Sequence, residues 1–268
     1  MLAAALNLNP DRIAVTELFG AIGAPARTTE LVRMFRAIEE NKHIRAVVID
    51  IDSPGGAAGP SEYIFRSVAR VAKKKPVVAF VRGTGASGAY MVACGATKVI
   101  AIPTALVGSI GVISMRPMLY DMLEKIGVRV EITKAGRLKD MFSFFREPTP
   151  EERQKEQALL DSFYRRFVEL VSDARGMGQD QVRELATGEL FTAEQAKDNG
   201  LIDDLGDLDT AIDLAQSLAA LPERKVSYVK PHRGLRDRLL GNTALTLVEG
   251  AAFAIDGLLR PSGPQYRL

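Results

Sequence analysis

Over its first two thirds the chain alternates short apolar runs with amphipathic stretches. Residues 44–51 (IRAVVIDI) form a nearly continuous apolar run, the pattern of a strand covered on both faces. Residues 12–22, 76–81, 98–102 and 128–133 are apolar and β-branched and predict further strands. Between them, residues 28–41 carry Leu31, Met34, Phe35 and Ile38 at helical spacing, with Thr28 or Thr29 as the expected N-cap. Residues 61–74 and 117–126 predict two more helices. Repeated strand–helix units with buried strands imply an α/β fold, a parallel sheet under helices.

The last third changes character. Residues 150–175 predict a long, charged amphipathic helix with Leu159, Leu160, Phe163, Phe167, Leu170 and Val171 on one side. Residues 179–186, 192–199 and 208–218 predict shorter helices, the second closed by Gly200. Residues 225–229 read as a short strand. Residues 243–259 mix apolar positions with Glu249 and Asp256, as an amphipathic helix packing on the core, a second subunit or a membrane surface would. There is no internal repeat and no low-complexity linker. The expected organisation is a core over residues 1–206, with residues 207–268 as a helical extension of the same domain used in oligomerisation.

Composition narrows the function. The 268 residues are 47% hydrophobic and 25% charged, enough to bury a large core without staples. The net charge of +2, from 35 basic and 33 acidic residues, sets up no field directed at nucleic acid. A single cysteine, Cys94, excludes an internal disulfide and a cysteine metal cluster, and its apolar setting reads as a buried hydrophobe. No cofactor or metal is expected. The apolar start, residues 1–8, is too short for a signal peptide or a membrane span. The chain as given is expected to be soluble, cytoplasmic or peripheral at the cell membrane, with room for an anchor lost from its front.

Four segments carry candidate chemistry. Ser87, in Gly83-Thr84-Gly85-Ala86-Ser87-Gly88-Ala89-Tyr90, sits where a buried strand gives way to an apolar helix. A serine at such a turn stands clear of the backbone, with neighbouring N–H groups aimed at a substrate oxygen. Asp52-Ser53-Pro54-Gly55-Gly56 follows another buried strand, and its paired glycines can leave N–H groups unpaired for an oxyanion. Lys139, in Gly136-Arg137-Leu138-Lys139-Asp140, is a candidate base. A lysine in that role is neutral, so its ordinary pKa near 10.4 has to fall by about 3, equivalent to about 4 kcal/mol. Met141, Phe142, Phe144 and Phe145 offer apolar surroundings, whereas Asp140 opposes the change unless it points away. Ser109, in Val107-Gly108-Ser109-Ile110-Gly111-Val112, has a hydroxyl that can orient an amine. Neither histidine, His43 in a polar loop or His232 near the C-terminus, has the setting of an oriented base.

Taken together, these segments resemble the signal peptide peptidase A family of serine peptidases, over about residues 12–206. The resemblance implies the fold of the Clp protease and crotonase superfamily, with repeated ββα units. It implies Ser87 as nucleophile, Lys139 as general base and Ser109 as the hydroxyl that orients the lysine. The N–H groups of Gly88 and of the Gly55–Gly56 turn correspond to the oxyanion hole. It further implies apolar, extended peptide substrates such as cleaved signal peptides, and a homo-oligomeric ring or dome of four to eight subunits, with neighbouring chains completing each site. Two features depart from the pattern: Leu138 stands where an aromatic often precedes the lysine, and the anchor helix of many members is missing. Three competing readings share parts of this evidence. One is a related Ser–Lys peptidase trimming stomatin-like membrane proteins. The others are a crotonase-type acyl-CoA enzyme and an inactive scaffold that binds peptides or membranes.

Overall fold

A computed structural model describes residues 11–231. Its elements run in the expected alternation: β1 (Arg12–Phe19), α1 (Pro25–Glu40), β2 (Ile44–Ser53), α2 (Ala58–Ala72), β3 (Val77–Ala86), α3 (Gly88–Ala93), β4 (Lys98–Ala101) and β5 (Leu106–Gly108). There follow α4 (Tyr120–Lys125), α5 (Pro150–Arg175), α6 (Gln179–Leu185), β6 (Leu190–Thr192), α7 (Ala193–Asp198), β7 (Asp204–Leu205), α8 (Leu208–Leu218) and β8 (Val226–Tyr228).

Among the described residues the strands form one sheet in the order β6-β5-β3-β2-β1-β8, with β4 also pairing β3 and β7 pairing β4. Every pairing is parallel except β5 with β6. Side chains alternate between two cores because successive strand residues point to opposite faces. Val47, Ile49 and Ile51 of β2 pack with Phe35, Ile64, Val68 and Tyr90 under the helices of one face. Ala46 and Val48 pack with Ile13, Phe80, Ile212 and Ala215 beneath α8 on the other. That two-sided burial explains the unbroken apolar run of β2. The fold is α/β with a largely parallel sheet under helices, as expected from the sequence.

Local chemistry sets the helix ends. α5 starts at a capping box in which Thr149 and Glu152 satisfy each other's backbone N–H, with Pro150 at the first turn, and it stops at Gly176 in the left-handed region. Two expectations need correction. α1 starts at Pro25, three residues before Thr28, with Ala24 at the N-cap position, because proline's fixed φ suits the first helical turn. Residues 128–133 form no strand, since none of the described strands lies beside them to complete a ladder. The short strands β6 and β7 carry too few residues to show a period. α8 and β8 pack into the same unit as the rest, which runs to Lys230. The segment 243–259 and His232 lie outside the described residues.

Candidate active site

The C-terminal ends of β2 and β3 converge on one point. β2 ends in the Ser53-Pro54-Gly55-Gly56 turn, and β3 ends one residue before Ser87. Ser87 has φ 51° and ψ −122°, a backbone shape that costs a non-glycine residue about 1–3 kcal/mol. Ser87 N–H donates to the Gly108 carbonyl at 2.7 Å, and Met91 N–H donates to the Ser87 carbonyl at 3.0 Å, so strand and helix hold the residue from both sides. Its hydroxyl has no partner among the described residues and faces a cavity of about 840 Å³.

Gly55 is forced by its setting. Its φ is 90°, and a Cβ there would lie 2.6 Å from Gly88 N and 2.9 Å from Ser87 Cβ. The Gly55 N–H donates to Ser53 Oγ at 3.2 Å. Among the described residues the N–H groups of Gly56 and Gly88 have no hydrogen-bond partner. They are neighbours: a Cβ on Gly88 would lie 3.4 Å from Gly56 N, and 2.1 Å from Ser61 Oγ. Two unpaired N–H groups beside a serine hydroxyl can receive the oxygen of a tetrahedral intermediate.

Ser109 lines the same cavity and, like Ser87, holds a positive φ, 49°. The walls are largely apolar, from Met91, Met115, Leu160, Phe163 and Phe167. Their contribution from α5 was not assigned to the site by sequence, although the stripe that carries it was visible. At one end Glu156 accepts hydrogen bonds from Ser114 Oγ at 2.6 Å and Arg116 at 2.9 Å. This neutralised cluster left no sequence signal beyond ordinary charged residues.

Lys139 stands apart. It is exposed and does not line the cavity that holds Ser87, although Phe142 of the same segment does. The burial expected around it is not met within one chain. Asp140 is turned to other partners: its carboxylate pairs with Lys134 and accepts from Arg146 Nε at 2.8 Å. Arg146 also binds the covered Glu152 carboxylate at 2.6 and 2.8 Å. The Arg146 guanidinium holds both carboxyls below their usual range, Glu152 at about 2. His43 occupies a loop with its imidazole 3.9 Å from Asp11, far from any role at Ser87. Among the described residues there is no cluster of side chains suited to a metal ion, and no helix is long and apolar enough to cross a membrane.

Residues 69–222 match the model of peptidase family S49, from the end of α2 past α8, a span that holds Ser87, Ser109 and Lys139 and begins after the Gly55–Gly56 turn. The chain belongs to peptidase family S49. It is 38% identical over 232 residues to a Synechocystis sp. protein to which a protease role is ascribed, covering 86% of this chain and 83% of that one. It is also 31% identical over 279 residues to the chloroplastic serine protease SPPA of Arabidopsis thaliana, covering 93% of this chain but 41% of the plant protein. Among solved structures, a serine-to-alanine mutant of the membrane-bound stomatin-specific protease 1510-N matches at a TM-score of 0.52 and 17% identity, over 83% of this chain and 99% of that one. The S49 member is thus a serine peptidase of the signal peptide peptidase A type.

Proposed function

We propose that this S49 member cleaves apolar, extended peptides such as released signal peptides, with Ser87 as nucleophile and Lys139 as general base. Ser87 carries the proposal. Its strained turn sets an unpartnered hydroxyl beside the free N–H groups of Gly56 and Gly88, in a cavity walled by Met91, Phe163 and Phe167. Neutral Lys139 accepts the Ser87 proton as Oγ attacks the scissile carbonyl. The Gly56 and Gly88 N–H groups hold the resulting oxyanion. Protonated Lys139 then gives the proton to the leaving amine, and water, deprotonated by the same lysine, hydrolyses the acyl-enzyme. Ser109 orients the amine.

The lysine reaches Ser87 from a neighbouring copy in a homo-oligomer of four to eight subunits. Two observations support this. Lys139 is exposed and outside its own chain's cavity lining. Its segment also exposes a run of large apolar side chains, among them Ile113, Met115, Ile126 and Phe142, which are 77%, 85%, 65% and 50% exposed. Substrate adds as an extended strand with its side chains in the apolar cavity. The enzyme works on peptides at, or released from, a membrane surface, needs no cofactor and binds no nucleic acid.

The test is cleavage of a panel of apolar peptides by wild type and Ser87→Ala. Loss of all cleavage and of labelling by a fluorophosphonate in the variant is expected; unchanged cleavage overturns the assignment. Stomatin-type C-terminal segments in the panel separate the trimming reading, which shares these residues, from clearance of signal peptides.

A further inference from the structure

The pairing of β2 with β3 breaks just before the site. Ile51 faces Val81, but the next pair is Ser53 with Gly85, so one residue of β2, Asp52, spans three of β3, Arg82, Gly83 and Thr84. Such a bulge frees backbone groups from the ladder and re-aims the strand beyond it. Asp52 fills the gap with its side chain: Oδ1 accepts the Thr84 N–H at 3.0 Å. Gly83 is fitted to that carboxylate, since a Cβ there would lie 2.8 Å from Asp52 Oδ1 and 3.1 Å from Cγ. Arg82 is held separately, with its guanidinium on the buried Asp50 carboxylate and 5.2 Å from the Phe19 ring. The exposed Asp52 carboxylate makes its side-chain hydrogen bond to the bulge, while its backbone carbonyl accepts from Gly20 N–H on the β1 side.

Both halves of the candidate site hang from this joint. Ser53, the next residue of β2, opens the turn that presents the Gly56 N–H, and its own Oγ holds Gly55 N–H. Thr84 lies three residues before Ser87, and from Thr84 onward the other edge of β3 pairs β5 instead of β4, with Ala86 opposite Gly108, while Gly85 still pairs Ser53 of β2. A shift of either strand end relative to the other moves Ser87 Oγ with respect to the Gly56 N–H.

We infer that Asp52 is a positioning residue for catalysis: its side-chain oxygen replaces the missing ladder bond to Thr84 and fixes the distance between the nucleophile turn and the diglycine turn. The inference rests on the proposed function. It requires an acceptor oxygen at this position but not a negative charge, which gives it a distinctive test.

Asp52→Asn keeps the acceptor, Asp52→Ala removes it, and Gly83→Ala pushes the carboxylate off while leaving it charged. Purified full-length variants are assayed for kcat and KM on an apolar peptide, for the rate of fluorophosphonate labelling of Ser87, and for Tm. Asp52→Ala and Gly83→Ala are expected to lose about 10²-fold in kcat, with parallel loss of labelling rate and little change in KM. Asp52→Asn stays within about threefold of wild type, since a side-chain carbonyl still receives the Thr84 N–H. Combining Asp52→Ala with Gly83→Ala is expected to cost no more than either alone, because the two act on one contact. Full kcat in folded Asp52→Ala, or equal damage from Asp52→Asn and Asp52→Ala, overturns the inference. Should Asp52→Ala not fold, unchanged kcat in Gly83→Ala overturns it as well. Ser87→Ala run alongside separates the two levels. Cleavage that survives in it removes Ser87 as nucleophile and this inference together. Cleavage lost in it but intact in Asp52→Ala removes only the role of Asp52.

Discussion

Gly56 and Gly88 come from two different strand ends, yet a Cβ on Gly88 would lie 3.4 Å from the Gly56 nitrogen. Neither N–H has a partner among the described residues, and both flank Ser87. Their closeness depends on glycine at the joint. Gly55→Ala adds a Cβ 2.6 Å from both Gly88 N and Ala86 O, at a φ of 90°. We expect it to lower kcat by about 10²-fold or more, the scale of losing one oxyanion donor. A burst-phase assay that finds acylation as fast as in wild type would remove the turn from the mechanism.

Lys139 is exposed, so its removal strains nothing in the single chain. Lys139→Ala is expected to abolish turnover while leaving Tm within about 2 °C, since surface substitutions of this kind stay near ±0.5 kcal/mol. Mixing Lys139→Ala with Ser87→Ala then reports on the dyad. Mixed oligomers recover activity if the two residues come from neighbouring chains; recovery that never rises above either variant alone places the dyad within one chain.

The segment around Lys139 is fastened by Arg146 to Asp140 and Glu152. Both carboxyls have lower pKa values folded than unfolded, Glu152 at about 2 against an ordinary 4.5. Their contribution is therefore complete at neutral pH and fades as pH falls from about 4.5 toward about 2. Hydrogen-exchange protection over residues 134–152, corrected for the slower intrinsic exchange in acid, should fall between pH 5 and pH 3 ahead of protection in β2 and β3. Glu152→Gln should already exchange fast at pH 5. Equal protection of this segment at both pH values in the wild-type protein would contradict the assignment.

Cys94 is buried, and burial pushes its thiol up to about 12. A thiolate is the reactive species, so the folded protein should not react with a disulfide reagent at pH 8. One equivalent should react on unfolding. Rapid labelling of the native protein, with loss of peptidase activity, would mean that the α3 region opens.

Much of this was legible in one dimension. The long helix α5 could be bounded at Pro150 and Arg175 because Thr149, Pro150, Glu152 and Gly176 act within a turn or two of themselves. The unbroken apolar run of β2 announced burial on both faces, and the glycine and serine turns announced themselves by composition. Failures came where a partner distant in sequence was needed. Residues 128–133 have the composition of a strand but no adjacent edge among the described strands. The phenylalanines after Lys139 looked like its burial, yet Phe142, Phe144 and Phe145 are 50%, 40% and 41% exposed and the lysine remains outside the cavity.

By itself the sequence determined the α/β alternation, the serine turn, the diglycine turn and membership of a recognisable peptidase type, because each depends on short-range sterics and on the period of apolar positions. Only the tertiary structure decided which N–H groups are free, that Gly55 spends its own on Ser53, that α5 walls the cavity, and that Asp52 bridges a break between β2 and β3. The meeting of the two turns and the Asp52 bridge are set by parallel pairing of β2 with β3, about thirty residues apart, and a parallel ladder fixes distances that no local pattern of residues encodes.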